Sequence, residues 1–185
     1  MPRLHLVRHG RSEAAWADHP DPGLHLDGQA QAVAVAADLA GRLSPIPIWS
    51  SPRVRTQETA APLAARWSTT VALSPAFDEI PSPSTDPGER NAWLSAAMVS
   101  HWADLGPAIE RWRTRLLDAV REVGEDVVVF THFVAVNAVV GAAEGRTEVM
   151  VFAPAYTSVT VVEVDPGTGS IAVVRRGSEA TPEVG

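Results

Sequence analysis

Apolar residues in this chain fall into short β-prone runs separated by longer helical stretches. Residues 3–7 (Arg-Leu-His-Leu-Val) read as a buried first strand. Residues 27–43, rich in Ala, Gln, Val and Leu, have the composition of a helix, and 46–49 are short, apolar and β-prone. Pro52 suits the first turn of a helix extending to Trp67, and 69–73 read as a third strand. From 78 to 90 the periodicity disappears, and Pro81, Pro83 and Pro87 with Ser82, Ser84 and Gly88 predict a long loop of the kind that carries function. Helices over 89–102 and 107–123, a Val-rich strand over 126–130 and a helix over 133–143 follow. The hairpin 158–164 and 170–176, turning through Asp165-Pro166-Gly167-Thr168-Gly169, precedes a loose tail over 177–185. Strands alternating with helices predict an α/β sandwich whose sheet is mostly parallel, with an antiparallel hairpin added.

A length of 185 residues fits one domain with a core of ordinary size, expected over 1–176. The formal net charge of −7 argues against nucleic acid as a partner, although a few arginines gathered in a cleft can oppose that field locally. The absence of cysteine excludes a disulfide scaffold, a thiol nucleophile and a cysteine-ligated zinc. The apolar stretch 126–141 is interrupted by Thr131, His132 and Asn137, so no membrane span is expected, and no apolar signal segment precedes the first strand. A soluble, cytoplasmic protein is the expectation.

Chemically capable residues cluster where strands end and helices begin, which is where open α/β sheets hold ligands. Arg8-His9-Gly10-Arg11-Ser12 follows the first strand and sets an anion clamp beside a potential nucleophile, or is a turn with incidental charge. Arg53 and Arg55 stand at a helix start, where cations oppose the macrodipole unless they face an anion. Thr131-His132-Phe133 joins a strand to a helix, and His132 is read either as a phosphate partner or as a satisfied core histidine. Asp78 and Glu79 precede the proline-rich loop. His5, His19, His25 and His101 are read as structural or surface residues, and Asn137 has no assigned role. Trp93, Trp102 and Trp112 pack core or line a cap.

Taken in order, Arg8-His9-Gly10, Leu24-x3-Gly28-x2-Gln31-Ala32, Ser50-Ser51-Pro52-x2-Arg55-x3-Thr59-Ala60, Phe77-x-Glu79 and Val129-Phe130-Thr131-His132 resemble the histidine phosphatase (phosphoglycerate mutase-like) superfamily, small phosphatase branch. The resemblance runs from Arg3 to the final hairpin. It implies a three-layer α/β/α sandwich, with the loop and helices of 78–123 as a cap over the site. It also implies metal-independent hydrolysis of a phosphomonoester through a phosphohistidine, without a cofactor. The catalytic residues it implies are His9 as nucleophile, Glu79 as proton donor (Asp78 the fallback) and His132. It implies that Arg8, Arg55 and His132 hold the substrate phosphate; Ser12, a hydroxyl in the same loop, is read as a further phosphate ligand in place of the asparagine missing at Ala15. The implied partner is a small phosphorylated substrate or a phosphoprotein. A phosphoglycerate-type mutase of the same fold, or a phosphate-binding protein without turnover, are the alternatives. Two departures from the family pattern stand out. Ala15 occupies a position where the family often has asparagine, and Ile80-Pro81-Ser82-Pro83-Ser84 replaces the Gly-rich segment usual in the mutases.

Overall fold

The structure, a computed structural model, describes residues 1–13 and 21–180. Its strands are β1 (Arg3–Arg8), β2 (Ile48–Ser50), β3 (Val71–Leu73), β4 (Val127–Thr131), β5 (Val159–Val164) and β6 (Ile171–Arg175). The helices are α1 (Leu26–Arg42), α2 (Val54–Trp67), α3 (Pro87–Met98), α4 (Pro107–Arg121) and α5 (Phe133–Ala143). One six-stranded sheet runs in the order β3-β2-β4-β1-β5-β6. The pairs β2–β3, β2–β4 and β1–β4 are parallel, while β1–β5 and β5–β6 are antiparallel.

Side chains alternate across a strand, and this alternation divides the core in two. Leu4, Leu6, Val127 and Val129 point to a face covered by α4 and α5, where they meet Leu116, Val120 and Val136. Val7, Ile48, Val128 and Phe130 point to the other face, covered by α1 and α2 through Val35, Leu39, Ala60 and Leu63. The result is the expected three-layer sandwich. Nearly every residue of β1 and β4 is buried, as a sheet covered on both faces requires. No helix among the described residues is long and apolar enough to cross a membrane.

Several boundaries differ from the sequence reading. Pairing in β2 starts at Ile48 because Pro47 has no N–H to give; its carbonyl accepts from Val128 N at 3.0 Å. The proline-rich loop ends early, since Asp86 caps α3 by accepting from Glu89 N at 3.0 Å and Pro87 occupies its first turn. That helix stops at Met98 rather than Trp102. His101 and Trp102 instead tie to the 147–148 segment, and Trp102 sits in a separate 3-10 turn. The segment after β6 is not loose at its start, because Ser178 O accepts from Ala155 N and Ala153 O from Ala180 N, both at 2.8 Å.

Candidate active site

The register of β1 against β4 pairs Arg8 with Thr131, so the residues that follow, His9 and His132, leave the sheet side by side. Their rings lie 5.3 Å apart at 60°. His9 N donates to Thr131 O at 2.9 Å and Ser51 N, just past β2, donates to Phe130 O at 3.0 Å. Thr131 Oγ1 donates to Phe77 O at 2.7 Å, which draws the segment carrying Glu79 to the same end of the sheet. Four chain segments distant in sequence therefore converge at the carboxyl ends of the parallel strands.

His9 is 7% exposed and its Nδ1 lies 2.8 Å from Gly10 O. A carbonyl only accepts, so Nδ1 carries the proton and Nε2 keeps its lone pair. Arg55 Nε donates to that Nε2 at 3.3 Å. Burial, reinforced by the charges of Arg55 and Arg8, pushes His9 down to about 3. The imidazole is thus neutral across ordinary pH.

Arg55, 2% exposed, reaches this position from the first turn of α2. Its NH2 stands 3.2 Å from His132 Nδ1 and 3.7 Å from Glu79 Oε2. Asp21 Oδ1 stands 3.7 Å from NH1. Arg55 NH1 and Arg8 Nε are buried with no hydrogen-bond partner among the described residues. Native interiors rarely leave such groups unpaired. Arg8 donates to Pro154 O at 2.7 Å, and its guanidinium lies 4.0 Å over Tyr156 and 5.1 Å from the Phe133 ring.

His132 is fully buried at the start of α5, and burial with the charge of Arg55 holds it well below the ordinary histidine range. Its Nε2 meets Ser51 Oγ at 2.8 Å, and its Nδ1 lies 3.3 Å from Glu79 Oε2. Glu79 is pushed upward, chiefly by burial, with Arg55 opposing. A cavity of about 340 Å³ opens onto Arg8, His9, Ser12, Arg55 and Glu79. His9, Glu79 and His132 offer ligand-type atoms within 4.8 Å of one another. The Arg55 guanidinium, hydrogen-bonded to both rings, gives that spot the charge for an anion rather than a cation.

Residues 4–176 match the family model described as histidine phosphatase superfamily (branch 1). The chain belongs to the histidine phosphatase superfamily. The uncharacterized protein Rv0525 of Mycobacterium tuberculosis is 34% identical over 154 residues, covering 70% of this chain and 72% of that protein. Among solved structures, the mycobacterial glucosyl-3-phosphoglycerate phosphatase Rv2419c with inorganic phosphate superposes with a TM-score of 0.76 at 19% identity, covering 97% of this chain and 98% of the other. Phosphoserine phosphatase from Entamoeba histolytica, in complex with 3-phosphoglyceric acid, does so with a TM-score of 0.70 at 21% identity, covering 96% and 98%.

Several motif residues of this histidine phosphatase superfamily member have plain mechanical reasons. Gln31 Oε1 accepts from Arg11 N at 2.9 Å, and Thr59 Oγ1 accepts from Gly10 N at 3.1 Å, so α1 and α2 each hold the loop after β1. Ser12 lines the cavity. Ala15 and His19 lie outside the described residues. Asp78 differs from the expectation of a fallback acid: Arg53 holds its carboxylate at 2.8 and 3.0 Å, and it does not line the cavity. Trp102 and Trp112 pack in the core with rings 6.2 Å apart, and Trp93 packs against it.

Sequence reasoning gave no role to Ser51, the partner of His132, although it stands in a quoted motif. It also missed Tyr156, the aromatic platform under Arg8, and the α3 residues Asn91, Leu94 and Met98 that line the cavity. Only the helical pattern of α3 hinted at these, and nothing in the sequence around Tyr156 did. Asn137 proves to be a buried brace, its Oδ1 accepting from Val151 N at 2.8 Å and Phe152 N at 3.1 Å.

Proposed function

We propose that this protein is a phosphomonoester hydrolase that works through a covalent phosphohistidine on His9. The observation that carries the reading is the pairing of a neutral, Nδ1-protonated His9 with Arg55 at its free Nε2. An imidazole so oriented is a nucleophile aimed at whatever the arginine holds.

In this reading Arg8, Arg55 and Ser12 grip the phosphoryl oxygens, with the N-terminus of α5 adding its partial positive charge. His132 joins them by donating from Nδ1 once phosphate draws Arg55 away, its Nε2 then accepting from Ser51 Oγ. The Nε2 lone pair forms the N–P bond as the P–O bond to the leaving alcohol breaks. Glu79, whose protonated form burial favours, gives a proton to the departing oxygen. Water then attacks phosphorus and the N–P bond breaks. Glu79 takes the proton from that water, which restores the free enzyme and releases phosphate. Two arginines supply the positive charge that a cation supplies in other phosphoryl transfers, so the proposed reaction needs no metal. The cap expected over 78–123 shortens to the loop after Glu79 and α3, whose Asn91, Leu94 and Met98 line the cavity, because α4 packs in the core layer beside α5 instead.

The test compares phosphate release from p-nitrophenyl phosphate by the wild type and His9→Ala, in the presence of a chelator. Radiolabelled substrate is used to trap the intermediate. Turnover abolished in His9→Ala, with an acid-labile, base-stable label on the wild type alone, supports the reading. Turnover that persists in His9→Ala, or that the chelator abolishes, overturns it.

A further inference from the structure

We infer that the alcohol released at this site is uncharged and largely apolar, so that the preferred substrates are small monoesters carrying the phosphate as their one strongly charged group. This rests on the hydrolase reading above and names its substrate class. The chain has no lysine, and of its 15 arginines only Arg8 and Arg55 line the cavity among the described residues. Two guanidiniums match the two charges of a phosphate monoester. Arg53, the cap residue just before α2, is occupied by Asp78, and Arg11 is paired with Asp27 at 2.8 Å. Residues 14–20, Ala-Ala-Trp-Ala-Asp-His-Pro, contribute no arginine or lysine whatever their placement. A substrate with a second carboxylate or phosphate would bury that charge without a partner, which costs several kcal/mol or more on general grounds.

Beyond the phosphate grip the cavity lining is mostly apolar. Leu94 and Met98 of α3, Phe133 and Val134 of α5 and Tyr156 line the cavity, with Asn91 as a neutral polar member. Such a lining rewards apolar surface removed from water and offers little to the hydroxyls of a sugar. Phe133 and Tyr156 are also the rings that flank Arg8, so the aromatic surface begins where the phosphate grip ends. At about 340 Å³ the cavity admits the phosphate with a compact body, an alkyl chain of several carbons or one aromatic ring.

The experiment has a kinetic arm and a binding arm. The kinetic arm compares kcat/KM for hexyl phosphate, glycerol 3-phosphate, glucose 6-phosphate, phosphoserine and 3-phosphoglycerate, all esters of aliphatic alcohols. The binding arm measures Kd by calorimetry for hexylphosphonate, methylphosphonate and phosphonoacetate, which reports on the wall whether or not turnover occurs. Hexyl phosphate is expected to exceed 3-phosphoglycerate by at least about tenfold, and hexylphosphonate to bind at least about tenfold tighter than methylphosphonate. Met98→Arg, which adds a cation to the far wall, is expected to raise kcat/KM for 3-phosphoglycerate while lowering it for hexyl phosphate. Equal rates across the panel, or a preference for the doubly charged esters in the wild type, overturn the inference and leave the hydrolase reading standing. Tight binding of hexylphosphonate with no turnover and no label on His9 overturns the hydrolase reading and retains the character of the wall.

Discussion

Arg53 grips the Asp78 carboxylate at two points, Nε to Oδ1 at 2.8 Å and NH2 to Oδ2 at 3.0 Å, while the same Oδ1 accepts from the backbone N of Glu79 at 2.7 Å. The first acid of the Asp-Glu pair is thereby committed to holding the second in place. Glu79 is left as the cavity's carboxyl, pushed upward by burial and able to hold a proton for the leaving group. Glu79→Gln is therefore expected to lower kcat for alkyl phosphates by about 10²–10⁴-fold. It should slow p-nitrophenyl phosphate far less, because nitrophenolate departs without a proton. Asp78→Asn keeps the acid and loosens its mounting, so its effect on alkyl phosphates is expected to be smaller. Steady-state rates on the two ester types with both variants give the comparison, and equal losses on both substrates in Glu79→Gln would remove Glu79 from the proton-donor role.

The buried histidines make stability depend on pH with a definite sign. His9 is near 3 in the folded protein and near 6.5 when unfolded, so between those values the unfolded chain binds more protons. Stability is fully present above about pH 6.5 and is lost as the pH falls, at roughly 1.4 kcal/mol per pH unit for each such group. His132, also depressed, acts in the same direction. Glu79, raised on folding, pulls the other way in the acidic range and blunts the fall. Urea unfolding at pH 7, 6 and 5 should show declining stability in the wild type and a flatter profile in His9→Asn. An unchanged slope in that variant would mean that His9 is not buried as a neutral ring.

The sandwich was readable in advance because its strands and helices alternate in sequence and each central strand is a nearly pure apolar run. His9, Arg55 and His132 drew notice because a titratable residue where a strand hands over to a helix contradicts its surroundings unless a ligand explains it. Each was ambiguous alone and took its expected role from the order of the motifs and the family they resemble. What escaped had no such contradiction. Tyr156 lies in an aperiodic stretch, and its place under Arg8 depends on Pro154 meeting that arginine's NH1, a contact between residues 146 positions apart. The end of α3 at Met98 could not be seen either, since Ser100 to Trp102 fit a helix locally and are drawn off it by hydrogen bonds to the 147–149 segment. Asn137 looked like a misfit in an apolar helix until the two amides it satisfies came into view.

Two glycines of α1 separate the demands of the site from those of the helix. A Cβ on Gly28 would overlap the Arg11 carbonyl oxygen and sit 2.9 Å from Arg11 N, so the first turn of α1 and the loop after His9 touch backbone to backbone. Gly10 faces the same contact, its Cβ position lying 2.7 Å from Gly28 O. At the other end of the helix, a Cβ on Gly41 would meet nothing within 4 Å. Gly41→Ala is expected to be neutral or to stabilise by up to about 1 kcal/mol through helix propensity alone, leaving phosphate affinity unchanged. Gly28→Ala must push the Arg11–Ser12 backbone away, at an expected cost of about 1–3 kcal/mol. Because that backbone leads directly from His9, the same substitution should also weaken phosphate binding. Thermal unfolding and phosphate calorimetry on the two variants check both halves. A Gly28→Ala protein that loses stability while binding phosphate normally would show that the loop can move without disturbing the grip, and the role given to Ser12 would fall with it.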